Sequence, residues 1–269
     1  MSRIINSVES RNFECLVIKP PKRKKREIYF MVAISLMLFL LACVFGEELQ
    51  DRGRNDLRIE DFEIGFAFNT PMNLYTPWQL AKTKKVFVHA LNQLPDELVK
   101  NDLINWIKSG KLKVSYQKKG MIGVWGPTNE LYLNPPSVIE LGDRLGYLGA
   151  CLVHEHHHIQ DWQGKNQDGL KYRPCEMSHY ATKECRIEWL DAEWRALVPE
   201  IKFIRKFNYL DQVTAGSDIN NRTTFANNRP ELAALIYLQE NYSRNDETKL
   251  KFRKVFPEFY HKKLAEIGG

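Results

Sequence analysis

Two histidines four residues apart, His154 and His158, stand in a segment of this 269-residue chain whose sequence predicts a helix. Residues four apart share one face of a helix, so both imidazoles can bind one metal ion, and Glu155 follows the first of them. Neutral imidazole suits zinc, but two such ligands leave a site that needs a third ligand and an open position for water. The spacing therefore predicts a zinc hydrolase site in which Glu155 reaches the water.

The residues around this motif favour a helix that is buried up to the histidines. Residues 146–153 are apolar or neutral, and the polar stretch follows them directly. His156 and His157 point away from the ligand face of such a helix, so we interpret them as neighbours of the site. The alternative is a polar helix face that arose by chance, or a surface patch that takes up divalent metal without catalysis.

A second amphipathic helix is predicted at residues 181–197, after the motif. Its apolar residues recur at spacings of three and four, as expected for one buried face: Ile187, Leu190, Trp194 and Leu197. The helix also carries Glu184, Glu188 and Glu193, and at least one of these is expected to be an ordinary solvated glutamate. The third metal ligand is sought on this helix.

With these two helices the chain resembles the gluzincin class of zinc metallopeptidases. In that class His-Glu-x-x-His supplies two ligands, a glutamate on a later helix supplies the third, and an acid four residues on hydrogen-bonds a metal-binding histidine. The resemblance implies Glu184 as the third ligand, with Glu188 in the place of the usual aspartate. The alternative is that Glu188 is the ligand and Ala192, one turn later, gives close packing between the two helices.

Short strands are predicted upstream of the motif, at residues 111–116, 120–125 and 129–134, before Pro135 and Pro136 end the ladder. The resemblance implies an α+β, zincin-like metallopeptidase domain with a short mixed sheet, an active-site helix and a ligand helix. In gluzincins the last strand before the active-site helix is the sheet edge that pairs with an extended substrate, here residues 130–133. An ordinary packed hairpin is the alternative.

The resemblance implies a zinc-dependent peptidase that acts on a peptide or protein substrate. Glu155 would be the general base for a water activated by Zn²⁺ and would return the proton to the leaving amine. His179, Tyr180 and Tyr209 lie in segments that can supply an oxyanion donor, but no spacing selects among them. Two alternatives stay open: a non-catalytic envelope protein with a metallopeptidase fold that binds metal and protein partners, and a hydrolase of a non-peptide amide.

Residues 28–45 form an apolar run of 18 residues, which is long enough to span hydrocarbon. The basic cluster at residues 22–26 precedes it and predicts a cytoplasmic N-terminus by the positive-inside rule. We therefore predict a signal anchor in a bacterial-type cell membrane, single-pass, with the catalytic domain outside, in the periplasm or extracellular space. The alternative is a lipoprotein signal, because residues 40–43 resemble a lipoprotein box with Cys43 as the lipidated residue.

Most of the net positive charge of the chain lies before the apolar run. Residues 1–27 contain eight Lys and Arg and three Glu, a net charge of +5, which leaves +1 of the total +6 for the remainder. The basic balance thus predicts membrane topology and gives no support to nucleic-acid binding. Cys175 and Cys185 can form a disulfide in an oxidising compartment, with two free thiols as the alternative, and Cys151 is interpreted as a packing residue.

The predicted organisation has four parts. Residues 1–27 are a basic cytoplasmic tail, residues 28–45 the membrane segment, residues 46–58 a charged spacer, and residues 59–269 a metallopeptidase-like domain large enough for one core. Within that domain further helices are predicted at residues 78–91, 95–107, 199–210, 230–242 and 247–264. A polar loop is predicted at residues 215–228.

Overall fold

The domain is seen in a computed structural model, which describes residues 55–125, 128–164, 182–213, 219–243 and 250–268. In these residues it is an α+β domain, mostly helical, with one small mixed sheet. The basic tail, the predicted membrane segment and Cys43 lie outside the described residues. Within the described ranges, no helix combines the length and the apolar character needed to cross a bilayer.

The strands are short, and they occupy the first half of the domain: β1 (Ile64–Phe66), β2 (Lys113–Tyr116), β3 (Ile122–Trp125) and β4 (Glu130–Leu133). The helices before the histidine motif are α1 (Pro77–Asn92), α2 (Glu97–Lys108) and α3 (Pro135–Glu140). The histidines lie on α4 (Leu145–Gln163), and α5 (Lys183–Lys206) follows it. The remaining helices are α6 (Leu210–Val213), α7 (Ile219–Asn227), α8 (Pro230–Ser243), α9 (Leu250–Arg253) and α10 (Phe256–Gly268).

The sheet has the strand order β1-β2-β4-β3. β1, β2 and β4 are parallel, whereas β3 runs antiparallel to β4 and lies at the edge. The prediction that residues 130–133 form the sheet edge is therefore wrong. Each of these residues is paired on both sides, with β2 and with β3, so β4 has no free hydrogen-bonding edge to offer.

The helix starts follow from local capping chemistry. Thr76 caps α1 and forms a reciprocal capping box with Gln79, and Pro77 occupies the first helical position. Asn134 caps α3 by accepting a hydrogen bond from the Ser137 amide. The prolines at 135 and 136 thus begin a helix as well as ending a strand.

Most predicted elements are confirmed, with shorter strands than expected. Several assignments differ: the helix predicted at 247–264 is two helices, α9 and α10, and β1 and α3 were not predicted. Residues 215–228 were expected to form a polar loop, but 219–227 are helical, because buried Phe225 anchors α7 in the core. The domain was expected to begin at residue 59, but Leu57 is already buried and its amide donates to Asn92, so the compact unit begins at Asn55.

The helices α4 and α5 make the most extensive contact in the domain. Both helices carry buried apolar side chains, Leu148, Leu152 and Ile159 on α4 and Leu190, Leu197 and Ile201 on α5. Glycines let α4 approach its other neighbours: a Cβ at Gly149 would lie 2.9 Å from Leu94 Cδ1, and one at Gly146 would overlap the Tyr209 ring. Packing on several sides therefore fixes the position of the histidine helix.

The start of α5 carries a covalent constraint. Cys185, in the first turn, is disulfide-bonded. Its predicted partner, Cys175, lies outside the described residues. Cys151 is a buried free thiol on α4, in agreement with the interpretation as a packing residue, although it also lines the pocket described below.

A buried ion pair also joins the two helices. The Arg195 guanidinium on α5 donates to Asp161 Oδ1 on α4 at 2.9 Å, and the aspartate side chain is fully buried. Burial raises the pKa of Asp161, and Arg195 acts in the opposite direction by favouring the carboxylate. Removing one member of such a pair leaves an uncompensated charge in the interior.

We expect Arg195→Ala to lower the free energy of unfolding by about 3 kcal/mol, because Asp161 would lose its counter-charge. Lys202→Ala is the matched control on the same helix, since Lys202 forms an exposed ion pair with Glu231 and should cost less than about 1 kcal/mol. Urea unfolding of both variants measures the difference. Equal stabilities for the two variants would show that the buried pair does not brace the helices.

Candidate metal centre

The helix α4 places the motif as its spacing predicts. His154 and His158 lie one turn apart, and their imidazole rings meet edge to face, with centroids 4.7 Å apart. Their Nε2 atoms are 3.0 Å from each other. Two ring nitrogens at this separation can share one cation, because both lone pairs are directed into the same small space.

Glu193 on α5 supplies the third side chain. Its Oε2 lies 3.6 Å from His154 Nε2, and its Oε1 lies 3.5 Å from His158 Nε2. Among the described residues, these three side chains form the one group of acidic, histidine or cysteine ligands whose donor atoms all lie within 4.8 Å of one another. Two imidazoles and one carboxylate are a donor set that zinc accepts.

The structure does not bring Glu184 or Glu188 to the histidines, and the carboxylate that lies beside both of them is that of Glu193. Both side chains are exposed. Glu184 lies nine residues before Glu193, or about 13.5 Å along the helix axis, and Glu188 lies five residues before it, about 140° away around the helix. Neither shares the face of α5 that meets the motif.

The second carboxylate at the site is Glu200, which the sequence reasoning missed. Its Oε2 lies 2.9 Å from His154 Nδ1, and the side chain is buried. In the neutral tautomer that carries its proton on Nδ1, Nε2 has a free lone pair on the side of Glu193 and His158. Glu200 follows Glu193 by seven residues, two helical turns on the same face, whereas the gluzincin pattern implies an acid four residues after the ligand.

The charges of the group are strongly coupled. Burial alone lowers the pKa of His154, but its hydrogen bonds with Glu193 and Glu200 outweigh that effect and raise the pKa well above its ordinary value. Burial opposes ionisation of Glu193, yet the two histidines hold its pKa far below its ordinary value. The cluster is therefore a negative pocket that stabilises positive charge on or between its imidazoles.

Glu155 lies beside this group and is buried, with 7% of its surface exposed. Burial raises the pKa of its carboxyl group, partly offset by the neighbouring histidines His154 and His158. It lines the same pocket as the three clustered side chains but is not a member of the cluster. A carboxylate with a raised pKa is a stronger base, which is the property that proton abstraction from water needs.

The pocket over the cluster has a volume of about 420 Å³ and lies between α4, α5 and the sheet edge. One wall is backbone and side chains of residues 121–124, which include most of edge strand β3. Trp162, Trp189 and Leu197 form apolar walls. The pocket therefore combines a charged floor, apolar sides and a strand edge.

Two tyrosines, Tyr147 on α4 and Tyr237 on α8, also line this pocket. Burial raises the pKa of both hydroxyls, so both stay protonated at neutral pH and can donate a hydrogen bond. Of the three residues that the sequence offered for an oxyanion donor, Tyr209 packs against Phe203 and Phe207 and does not line the pocket. His179 and Tyr180 lie outside the described residues.

The other two histidines of the run have different surroundings. His156 Nε2 lies 3.0 Å from Asp102 Oδ2, and its ring stacks on Trp106. His157 lines a separate groove on the opposite side of α4, and burial lowers its pKa to about 3. Both therefore point away from the ligand face, as helix geometry predicts.

Comparisons with known proteins leave the site to be judged from its own geometry. No family model, no curated protein and no solved structure matches this chain.

We expect Glu193→Ala to abolish stoichiometric zinc binding by the full-length chain, because it removes the carboxylate that faces both Nε2 atoms. Glu184→Ala and Glu188→Ala are matched controls on the same helix and should bind zinc like the wild type. Metal analysis after equilibrium dialysis measures all four proteins. A loss in either control with full retention in Glu193→Ala would contradict the geometric assignment.

Glu200→Ala should weaken zinc binding by about 10–100-fold while leaving the ligands in place, since outer-shell partners orient a histidine without touching the metal. Glu200→Gln retains an oxygen that accepts from Nδ1 and should lose less. Competition with a chelator gives the affinities. An unchanged affinity in Glu200→Ala would show that the contact with His154 does not tune the site.

Proposed function

We propose that this chain is a zinc-dependent peptidase with His154, His158 and Glu193 as metal ligands. The observation that carries the proposal is the convergence of the two Nε2 atoms on the Glu193 carboxylate, with Nδ1 of His154 held by Glu200. This arrangement supports a site with three protein ligands, which leaves one position of a tetrahedral ion open, as hydrolysis requires. The Glu155 carboxylate lies in the same pocket and fits the base.

Bound zinc would act as a Lewis acid that makes water a better nucleophile and polarises the carbonyl of the substrate. The protein residues supply the remaining chemistry. Glu155 accepts a proton from the attacking water, and its buried position keeps it a stronger base than an exposed glutamate. The same carboxyl group then gives the proton to the leaving amine. Tyr147 and Tyr237 offer hydroxyl donors for charge that develops on the carbonyl oxygen.

The edge strand β3 supports a peptide as the substrate. It is paired with β4 on one side, and residues 121–124 form a wall of the pocket. An extended peptide can add to such an edge through main-chain hydrogen bonds, which places its carbonyl groups along the pocket. Strand addition requires a regular main chain with repeating amide groups, so it favours a peptide over an isolated amide.

The pocket walls indicate which side chains suit the site. Trp162, Trp189 and Leu197 surround the charged cluster with apolar surface, and Met121 and Val124 add to it from the sheet. Burying an apolar side chain there gains about 25 cal/mol for each square ångström removed from water. We therefore expect apolar or aromatic residues close to the scissile bond.

Glu155→Gln should retain near-stoichiometric zinc and lower kcat by about 10²–10⁴-fold, because glutamine matches the shape of glutamate but cannot accept a proton. The assay uses the full-length chain and a library of quenched fluorescent peptides, with zinc content measured on the same samples. Glu188→Gln, on the exposed face of α5, is the control and should keep wild-type activity.

Wild-type activity in Glu155→Gln would overturn this mechanism. Zinc binding by the wild type without cleavage of any peptide would favour the non-catalytic metal-binding alternative. Cleavage of a non-peptide amide but no peptide would retain the metal chemistry and reject the assigned substrate class.

A further inference from the structure

A group of exposed apolar side chains, none of which lines the pocket, lies in the loop between β1 and α1 and the first turn of α1. Phe68 is 95% exposed, Met72 78% and Trp78 65%, and Leu74 is partly exposed as well. We call Phe68, Met72, Leu74 and Trp78 the apolar patch. These four account for half of the large hydrophobic residues exposed in the described part of the chain, and they fall within eleven consecutive positions. Exposure concentrated in this way marks an interaction surface.

The loop holds these side chains outward because its backbone is fixed. The Thr70 amide donates to the Ala67 carbonyl at 2.9 Å, and the Leu74 amide donates to the Pro71 carbonyl at 3.0 Å. The buried Tyr75 donates its hydroxyl hydrogen to the Gln117 carbonyl at 2.6 Å and so attaches the loop to the turn between β2 and β3. The loop that carries most of the patch is therefore held in a defined conformation, and it lies next to the β2–β3 turn.

Exposed lysines lie near the patch in two segments of the chain, residues 64–95 and residues 111–129. Lys118 and Lys119 are exposed in the β2–β3 turn, next to the attachment of Tyr75, and Lys82 and Lys85 are exposed on α1. Neither residues 64–95 nor residues 111–129 contain a single aspartate or glutamate. Exposed apolar side chains together with exposed lysines match an anionic lipid surface, where lysines meet headgroups and aromatic rings enter the interface.

The predicted membrane segment gives such a surface within reach. It ends ten residues before Asn55, the first described residue, and ten residues of extended chain span at most about 36 Å. A domain carried on such a tether would meet the bilayer at high effective concentration, so even weak contacts would be occupied.

We propose that the apolar patch and the lysines Lys82, Lys85, Lys118 and Lys119 bind the surface of an anionic lipid bilayer. The patch inserts its side chains at the headgroup level, and the lysines pair with the lipid phosphates. This contact fixes the orientation of the domain on the membrane and is independent of the metal chemistry.

The test uses full-length chain in two kinds of vesicle, pure phosphatidylcholine and a mixture with phosphatidylglycerol. Phe68→p-benzoylphenylalanine carries the photoreactive probe. Leu98→p-benzoylphenylalanine is the matched control, because Leu98 is 68% exposed but is flanked by Asp96 and Glu97. Lipid adducts after illumination are counted by mass spectrometry.

We expect position 68 to form several-fold more lipid adducts than position 98 in the mixed vesicles. The excess should fall when phosphatidylglycerol is left out and when Lys118→Glu and Lys119→Glu are added. Equal adducts at the two positions, adducts that do not depend on lipid charge, or adducts from position 68 to a second copy of the chain would overturn the proposal. Zinc content measured on the same samples reports separately on the metal site.

Discussion

The hydrogen bond between the Glu200 carboxylate and Nδ1 of His154 is the contact on which the arrangement of the site depends. It is buried, it joins α4 to α5, and it sets which nitrogen of His154 is free to bind a metal. Because Glu193 lies two turns earlier on the same face of α5, the contact that orients the histidine also places the proposed third ligand. Apolar packing and the Asp161–Arg195 pair hold the two helices at the distance this requires.

The resulting pocket carries more negative charge than a hydrophobic core tolerates without compensation. Glu155, Glu193 and Glu200 lie around two histidines, and burial opposes ionisation of both Glu155 and Glu193. A divalent cation bound by the histidines and Glu193 would offset this charge, which is why we interpret the cluster as a metal site. The two glutamates outside the proposed ligand set then have separate proposed roles. Glu155 would transfer the proton, and Glu200 would orient His154.

The positions of His154, Glu155 and His158 could be predicted from the sequence, because their geometry is set within one helix. The third ligand could not, because it depends on where α5 crosses α4, and several glutamates on α5 satisfy the same pattern. The preference for Glu184 rested on an acid four residues later, but the glutamate beside the histidines is Glu193, which has an acid seven residues later. Both spacings keep two residues on one helix face, so spacing alone does not choose between them.

The sheet shows the same limit. The alternation of apolar and polar residues predicts where β2, β3 and β4 lie, because that signal is local. The order of the strands depends on long-range pairing, which the alternation does not reveal. One of the two edge strands is β3, and its place beside the pocket supports the proposed strand addition by a substrate. The apolar patch could not be predicted from the sequence either, because nothing in the sequence distinguishes the exposed Phe68 and Trp78 from core residues.

The most direct test of the central claim is anomalous diffraction at the zinc absorption edge from crystals of the full-length chain grown with zinc. We predict one strong peak at about 2.0–2.2 Å from Nε2 of His154, Nε2 of His158 and a carboxylate oxygen of Glu193. A peak on Glu184 or Glu188, or no peak between the two histidines, would contradict the account.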